Sequence, residues 1–264
     1  MNPLLVLAPS GMLAVGLASV ALWKTRGGVG FGYFLWGGLV WLASVVPKVA
    51  MDLTITPALT SWAEGALGLP RSLAPIGLYA GLRTGILECG LAYLAFSRTR
   101  LRRATLREAV AFGVGFGAAE AIALAVPVAV QIAVFALNPS LPELMPEEAR
   151  QIVEAQLSMP TWVVLAPIAE RAFALLAHVF TALLVFASIR EGRPGLLACA
   201  VLYKSALDAA IPYLNWAFEP AISPTGAYQA EAWPALMGIA ALAGTKYYIE
   251  RLSRTESRTA RCSE

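Results

Sequence analysis

A chain of 264 residues that is 58% hydrophobic and only 14% charged, with a mean hydropathy of +0.65, is too apolar for a soluble domain. Soluble domains average about 45–50% apolar and about 25% charged residues. The net charge of +3 sits in short loops rather than in a groove interleaved with aromatics, which argues against a nucleic-acid partner. The composition instead predicts an all-α, polytopic transmembrane bundle, one integral membrane domain over residues 1–264, with the lipid bilayer as its surroundings. Cys89, Cys199 and Cys262 are odd in number and lack metal-ligand spacing, so neither a disulfide framework nor a thiolate zinc site is expected, and no metal or other cofactor is predicted.

About 20 apolar residues cross the hydrocarbon core. On that rule seven spans are expected, at 3–23, 29–51, 75–97, 107–137, 161–189, 195–216 and 233–252. The first lacks the basic leader of a signal peptide and has Lys24 and Arg26 after its apolar run, so it is expected to be retained as a helix. The fourth and fifth exceed the minimum, which predicts tilt, or a bend near Pro127 and Pro167. No β-structure is expected, because an isolated strand leaves its backbone unsatisfied in lipid.

The loops alternate in charge. Lys24 and Arg26, the run Arg98, Arg100, Arg102, Arg103 and Arg107, the pair Arg190 and Arg193, and the tail arginines Arg251, Arg254, Arg258 and Arg261 follow spans one, three, five and seven. The intervening loops carry mainly Asp and Glu. Positive charge stays cytoplasmic, which predicts an outside N-terminus, a basic cytoplasmic tail over 253–264, and residence in the bacterial inner (cytoplasmic) membrane. Two outer loops are long. Residues 53–74 hold Leu59, Trp62, Ala66 and Leu69 at helical spacing, and 140–158 reads as a capped acidic helix.

The chemistry resides in ionisable residues set inside apolar segments. A charge at bilayer depth costs at least ~2.5–3.5 kcal/mol on insertion scales, so such groups face a protein interior or a hydrated cavity. Span three carries Glu88, with Thr84 one turn earlier and Arg83 rotated toward the outer end. Span four carries Glu120, one turn from Phe116, and a Gly113/Gly117 surface suited to close helix approach. In span five Arg171 and His178, the only histidine, share a face two turns apart, with Glu170 beside them. Span six carries Lys204 and Asp208 at i, i+4, with Asn215 two turns on. Spans three to six, residues 75–216, are therefore the expected functional core. Spans one, two and seven are expected as flanks, with Lys48 and Lys246 near their ends and able to snorkel.

At these residues the chain resembles the YhfC-type membrane proteins, related to the CAAX prenyl protease and bacteriocin-processing group of glutamic intramembrane proteases. The resemblance covers residues 75–215. Gly85 to Tyr93 stands where the pattern reads Gly-x-x-Glu-Glu-x-x-Arg-Tyr, and Gly113 to Ala121 where it reads Gly-x-Gly-His-Gly-x-x-Glu-Ala. Glu170-Arg171 through His178 looks like its Glu-Arg…His run, and Lys204 to Asp208 like its His-x-x-x-Asp run. Glu88, Glu120, His178 and Asp208 match. The second glutamate, the arginine and two histidines are replaced by Cys89, Ala92, Phe116 and Lys204.

The resemblance implies a protease in which a glutamate activates water and neighbouring polar groups stabilise the oxyanion. It implies Glu88, His178 and Glu120 as catalytic residues, with Lys204, Asp208, Arg171, Glu170 and Asn215 in support. The substrate would be a transmembrane or lipidated peptide. Two other readings remain open. One is a non-catalytic relative binding a transmembrane segment or partner, which a sealed mouth and a Glu88–Lys204 ion pair would favour. The other is a chromophore or proton-relay protein using Lys204 as a Schiff-base amine.

The orientation is directly testable. A cytoplasm-only reporter fused after Glu264 is expected to give signal, and one inserted within 140–158 to give none; the reverse pattern inverts the topology.

Overall fold

The structure, a computed structural model, describes residues 2–262, with side chains as far as Ser253. The side chains of Arg254, Arg258 and Arg261 in the basic tail lie outside the described residues. Among the described residues every regular element is helical. A short 3-10 turn, Pro3–Val6, leads into α1 (Leu7–Gly27), followed by α2 (Gly32–Thr54), α3 (Thr56–Leu67), α4 (Leu73–Arg98) and α5 (Leu106–Leu137). Then come α6 (Glu147–Ser158), α7 (Leu165–Arg190), α8 (Pro194–Ala209), α9 (Ile211–Phe218) and α10 (Pro224–Cys262).

Local sequence explains the boundaries. α1 stops where Gly28 adopts φ 62°, a left-handed cap that glycine enters without a Cβ penalty. α5 opens on a capping box. The Thr105 hydroxyl accepts the Glu108 N–H, and the Glu108 carboxylate accepts the Thr105 N–H at 2.7 Å. At 32 residues α5 is about 48 Å long at 1.5 Å per residue, and it continues through Pro127 as one helix. Pro167 falls in the first turn of α7, where its missing N–H would have no helical partner anyway.

Five helical stretches are long and apolar enough to cross a bilayer: Pro3–Gly27, Gly32–Thr54, Leu106–Leu137, Thr161–Arg190 and Pro194–Phe218. α4 and α10 have the length, but glycines and charges lower their hydropathy. The sixth predicted span is divided. α8 ends at Ala209 and α9 begins at Ile211, with Pro212 in its first turn. The long loops at 53–74 and 140–158 each contain a helix, α3 and α6. No residue of α6 is buried, and Arg150 pairs with Glu147 and Glu154 along its surface.

One helix organises the rest. In α7, 72% of the apolar window is buried within the protein, against 17–28% in the other four spanning stretches. α7 packs against α5, α8 and α10, while α5 also receives α1 and α2, and α4 packs along α8. The core below the polar site is aromatic. Phe96 stacks on Phe112 at 4.7 Å between ring centroids and meets Phe186 edge-on at 5.8 Å.

Close approach depends on missing side chains. A Cβ on Gly113 would lie 2.7 Å from Val179 Cα, and one on Gly117 would lie 3.0 Å from Leu175 Cα, so this predicted small-residue surface is where α7 meets α5. A second surface of the same kind went unnoticed in the sequence. Gly77, Gly81 and Gly85 recur every four residues along α4 and face the backbone of α8 at Ala209, Ser205 and Val201.

The α4 stripe supplies a stability test. Gly81→Ala pushes a Cβ into the Ser205 carbonyl and is expected to destabilise the detergent-solubilised protein by about 1–3 kcal/mol, as overpacking does. Gly90→Ala on the same helix, where a Cβ meets nothing within 4 Å, is expected to leave the melting temperature unchanged.

Candidate functional site

The polar residues of five helices converge on a cavity of 580 Å³. α2 contributes Trp41 and Lys48, α4 contributes Glu88, α5 Glu120, α7 Arg171, and α8 Lys204 and Asp208. Asp52 and Arg83 form an ion pair at its rim, joining α2 to α4. The stripe of glycines on α4 lets Glu88 approach α8, and the α5–α7 glycine contact draws Glu120 toward His178. Helix packing and site assembly are thus the same event.

Two charge clusters meet inside. In the first, Glu88 is 4% exposed and its Oε1 accepts a hydrogen bond from Lys48 Nζ at 2.7 Å. Its Oε2 faces Lys204 Nζ at 3.5 Å and His178 Nδ1 at 3.9 Å, and makes no hydrogen bond to another protein group. Lys204 Nζ also lies 3.6 Å from Asp208 Oδ1.

In the second cluster, Glu120 Oε1 accepts from Arg171 at 2.7 Å. Its Oε2 receives the indole N–H of Trp41 at 3.1 Å and lies 2.8 Å from His178 Nε2. Arg171 also pairs with its neighbour Glu170. With Nε2 on a carboxylate oxygen, that nitrogen is the donor, and the ring turns Nδ1 toward Glu88. Phe116 stacks on the imidazole at 4.9 Å between centroids and holds the ring in place.

Most of the predicted polar residues come together here. Glu88, Glu120, Arg171, Lys204 and Asp208 line the cavity, and His178 is buried between the two glutamates. Glu170 lies just outside the lining, on Arg171. Asn215 does not join them: it lies two turns beyond Asp208 along the chain, is exposed on the short helix α9, and does not line the cavity.

The expectation that span two is only a flank is corrected. Lys48 does not snorkel, since its ammonium is turned inward onto Glu88, and Trp41 of the same helix holds Glu120. The spacing Trp41–Lys48 of two helical turns was the available signal. Cys89 is not among the residues lining the main cavity; it lines a small void of 10 Å³ together with Glu88, Phe116 and His178. The mouth is open while the Glu88–Lys204 pair is formed, so the two conditions set for a non-catalytic relative are not met together.

The sequence matches the family described as YhfC intramembrane metalloprotease over residues 11–222, and the chain belongs to that family. No curated protein and no solved structure matches the chain.

The family's description implies a metal ion, and the side chains here do not suit one. Among the described residues no three His, Cys, Asp or Glu side chains are grouped so as to hold a metal. The carboxylates are instead engaged by Lys48, Lys204 and Arg171, and the single histidine has one nitrogen on Glu120.

Removing one partner from a buried pair leaves a charge unsatisfied and costs about 3–5 kcal/mol. Arg171→Met is therefore expected to destabilise the protein by about that amount in thermal unfolding. Adding Glu120→Gln to it should cost less than the sum of the two single changes, because the orphaned charge is removed.

Proposed function

We propose that this protein is a glutamic-type intramembrane protease that hydrolyses a peptide bond in a transmembrane or lipidated substrate. The observation that carries this reading is Glu88, a buried carboxylate that lines a polar cavity within an apolar bundle and whose Oε2 has no protein hydrogen bond. The protein acts as a single integral membrane domain of seven spans, counting α4 and α10. Its N-terminus lies outside and its C-terminus in the cytoplasm, and the membrane is the bacterial inner membrane.

In the reaction, Glu88 Oε2 takes a proton from a water molecule as the water oxygen bonds to the scissile carbonyl carbon. The carbonyl π electrons move onto its oxygen, and the nearest cation to that oxyanion is the Lys204 ammonium. The C–N bond then breaks, and the proton held by Glu88 passes to the leaving nitrogen. His178 Nδ1, 3.9 Å from Glu88 Oε2, can hold that proton between the two halves of the cycle. Glu120 acts through His178 by fixing its tautomer and orientation, which makes it a positioning residue. Asp208 and Arg171 hold Lys204 and Glu120 in place.

A co-expressed membrane substrate tests this assignment. Glu88→Gln and His178→Ala are each expected to lower cleavage by about 10²–10⁴-fold, the range of general acid–base catalysis. Cys89→Ala should retain most of the activity, since Cys89 does not line the main cavity and sits about 100° around the helix from Glu88. An inactive Cys89→Ala with an active Glu88→Gln would mean thiol chemistry. Wild-type cleavage by all three would remove catalysis from this site.

A further inference from the structure

The implied metal and the observed side chains disagree, and the disagreement has a specific shape. We infer that the Lys204 ammonium is a tethered cation occupying the seat between Glu88 and Asp208 that a divalent ion would otherwise take, so that the folded protein binds no metal at this site. Nζ lies 3.5 Å from Glu88 Oε2 and 3.6 Å from Asp208 Oδ1. A zinc ion shared by those oxygens would lie about 2.0–2.2 Å from each, against the ammonium itself. Lys204 is 3% exposed and enters from α8 at the closest approach to α4, where Gly85 packs on Ser205, so its attachment cannot be displaced without parting the two helices.

Two further observations agree. The donors a metal needs are engaged elsewhere: Glu88 Oε1 by Lys48, Glu120 Oε1 by Arg171, and His178 Nε2 by Glu120. Each carboxylate lining the cavity is also already paired with a cation: Asp52 with Arg83, Glu88 with Lys48 and Lys204, Glu120 with Arg171, and Asp208 with Lys204.

This inference concerns binding and stands whether or not the protein cleaves peptides. The full chain, purified in detergent micelles and dialysed against Co(II) and then buffer, is assayed for bound metal by mass spectrometry and visible absorption. The wild type is expected to retain less than about one tenth of an equivalent, and Lys204→His at least about tenfold more, with the absorption of a tetrahedral site. Wild-type retention of about one equivalent, lost in both Glu88→Gln and Asp208→Asn, would overturn the inference. So would a folded Lys204→His that binds no more than wild type. If Lys204→His does not fold, the wild-type content decides alone.

Discussion

The burial of carboxylates beside cations in an apolar bundle is the constraint on which everything else depends. Glu88 and Glu120 cannot enter such an interior singly, because an isolated charge there forfeits its hydration with nothing in return. Each is met by cations from other helices: Lys48 and Lys204 on Glu88, Arg171 on Glu120. The partners come from α2, α7 and α8 and the carboxylates from α4 and α5, so satisfying the two carboxylates ties five helices into one arrangement. A rotation of any of these helices would leave a buried charge exposed to hydrocarbon. The same pairs that make the fold specific also define the cavity.

Approach distance is the second condition. Charged side chains on separate helices meet at hydrogen-bonding range only if the backbones come close, and here glycine permits it. α4 lies on α8 through Gly77, Gly81 and Gly85, and α7 lies on α5 through Gly113 and Gly117. The first contact brings Glu88 to Lys204, the second brings Glu120 to His178. Packing that looks purely structural thus sets the distances on which any chemistry relies. The aromatic cluster of Phe96, Phe112 and Phe186 beneath the site gives these helices a common rigid floor.

The substitutions that set this chain apart have coherent consequences. Phe116, where the resembling pattern has histidine, contributes no polar atom but stacks on His178 and limits its rotation. Lys204, again in a histidine position, brings positive charge to the centre of the cavity. A site poorer in neutral nitrogen donors and richer in fixed cations is less suited to holding a metal. Membership of a family described as metalloproteases and a cation-filled site are compatible once the side-chain inventory of this chain is considered.

Much was legible in the sequence because the bilayer imposes simple one-dimensional rules. Apolar run length marked the first five long helices to within a few residues, and charges inside the runs marked Glu88, Glu120, His178 and Lys204 as groups requiring an interior. Helical periodicity placed Arg171 and His178 on one face. Beyond one helix such rules lose their power, because they cannot see rotation or depth between helices. Lys48 appeared to be an end-of-helix lysine free to snorkel; only the α2–α4 contact turned it onto Glu88. Trp41 was an ordinary membrane aromatic until α2 crossed α5 and its indole met Glu120. Asn215 shares a helical phase with Asp208 in the sequence, but two turns further on it is exposed on α9, outside the cavity. The sequence by itself determined which residues could not face lipid. The tertiary structure decided which partner each one met, because pairing depends on distances between segments far apart in the chain.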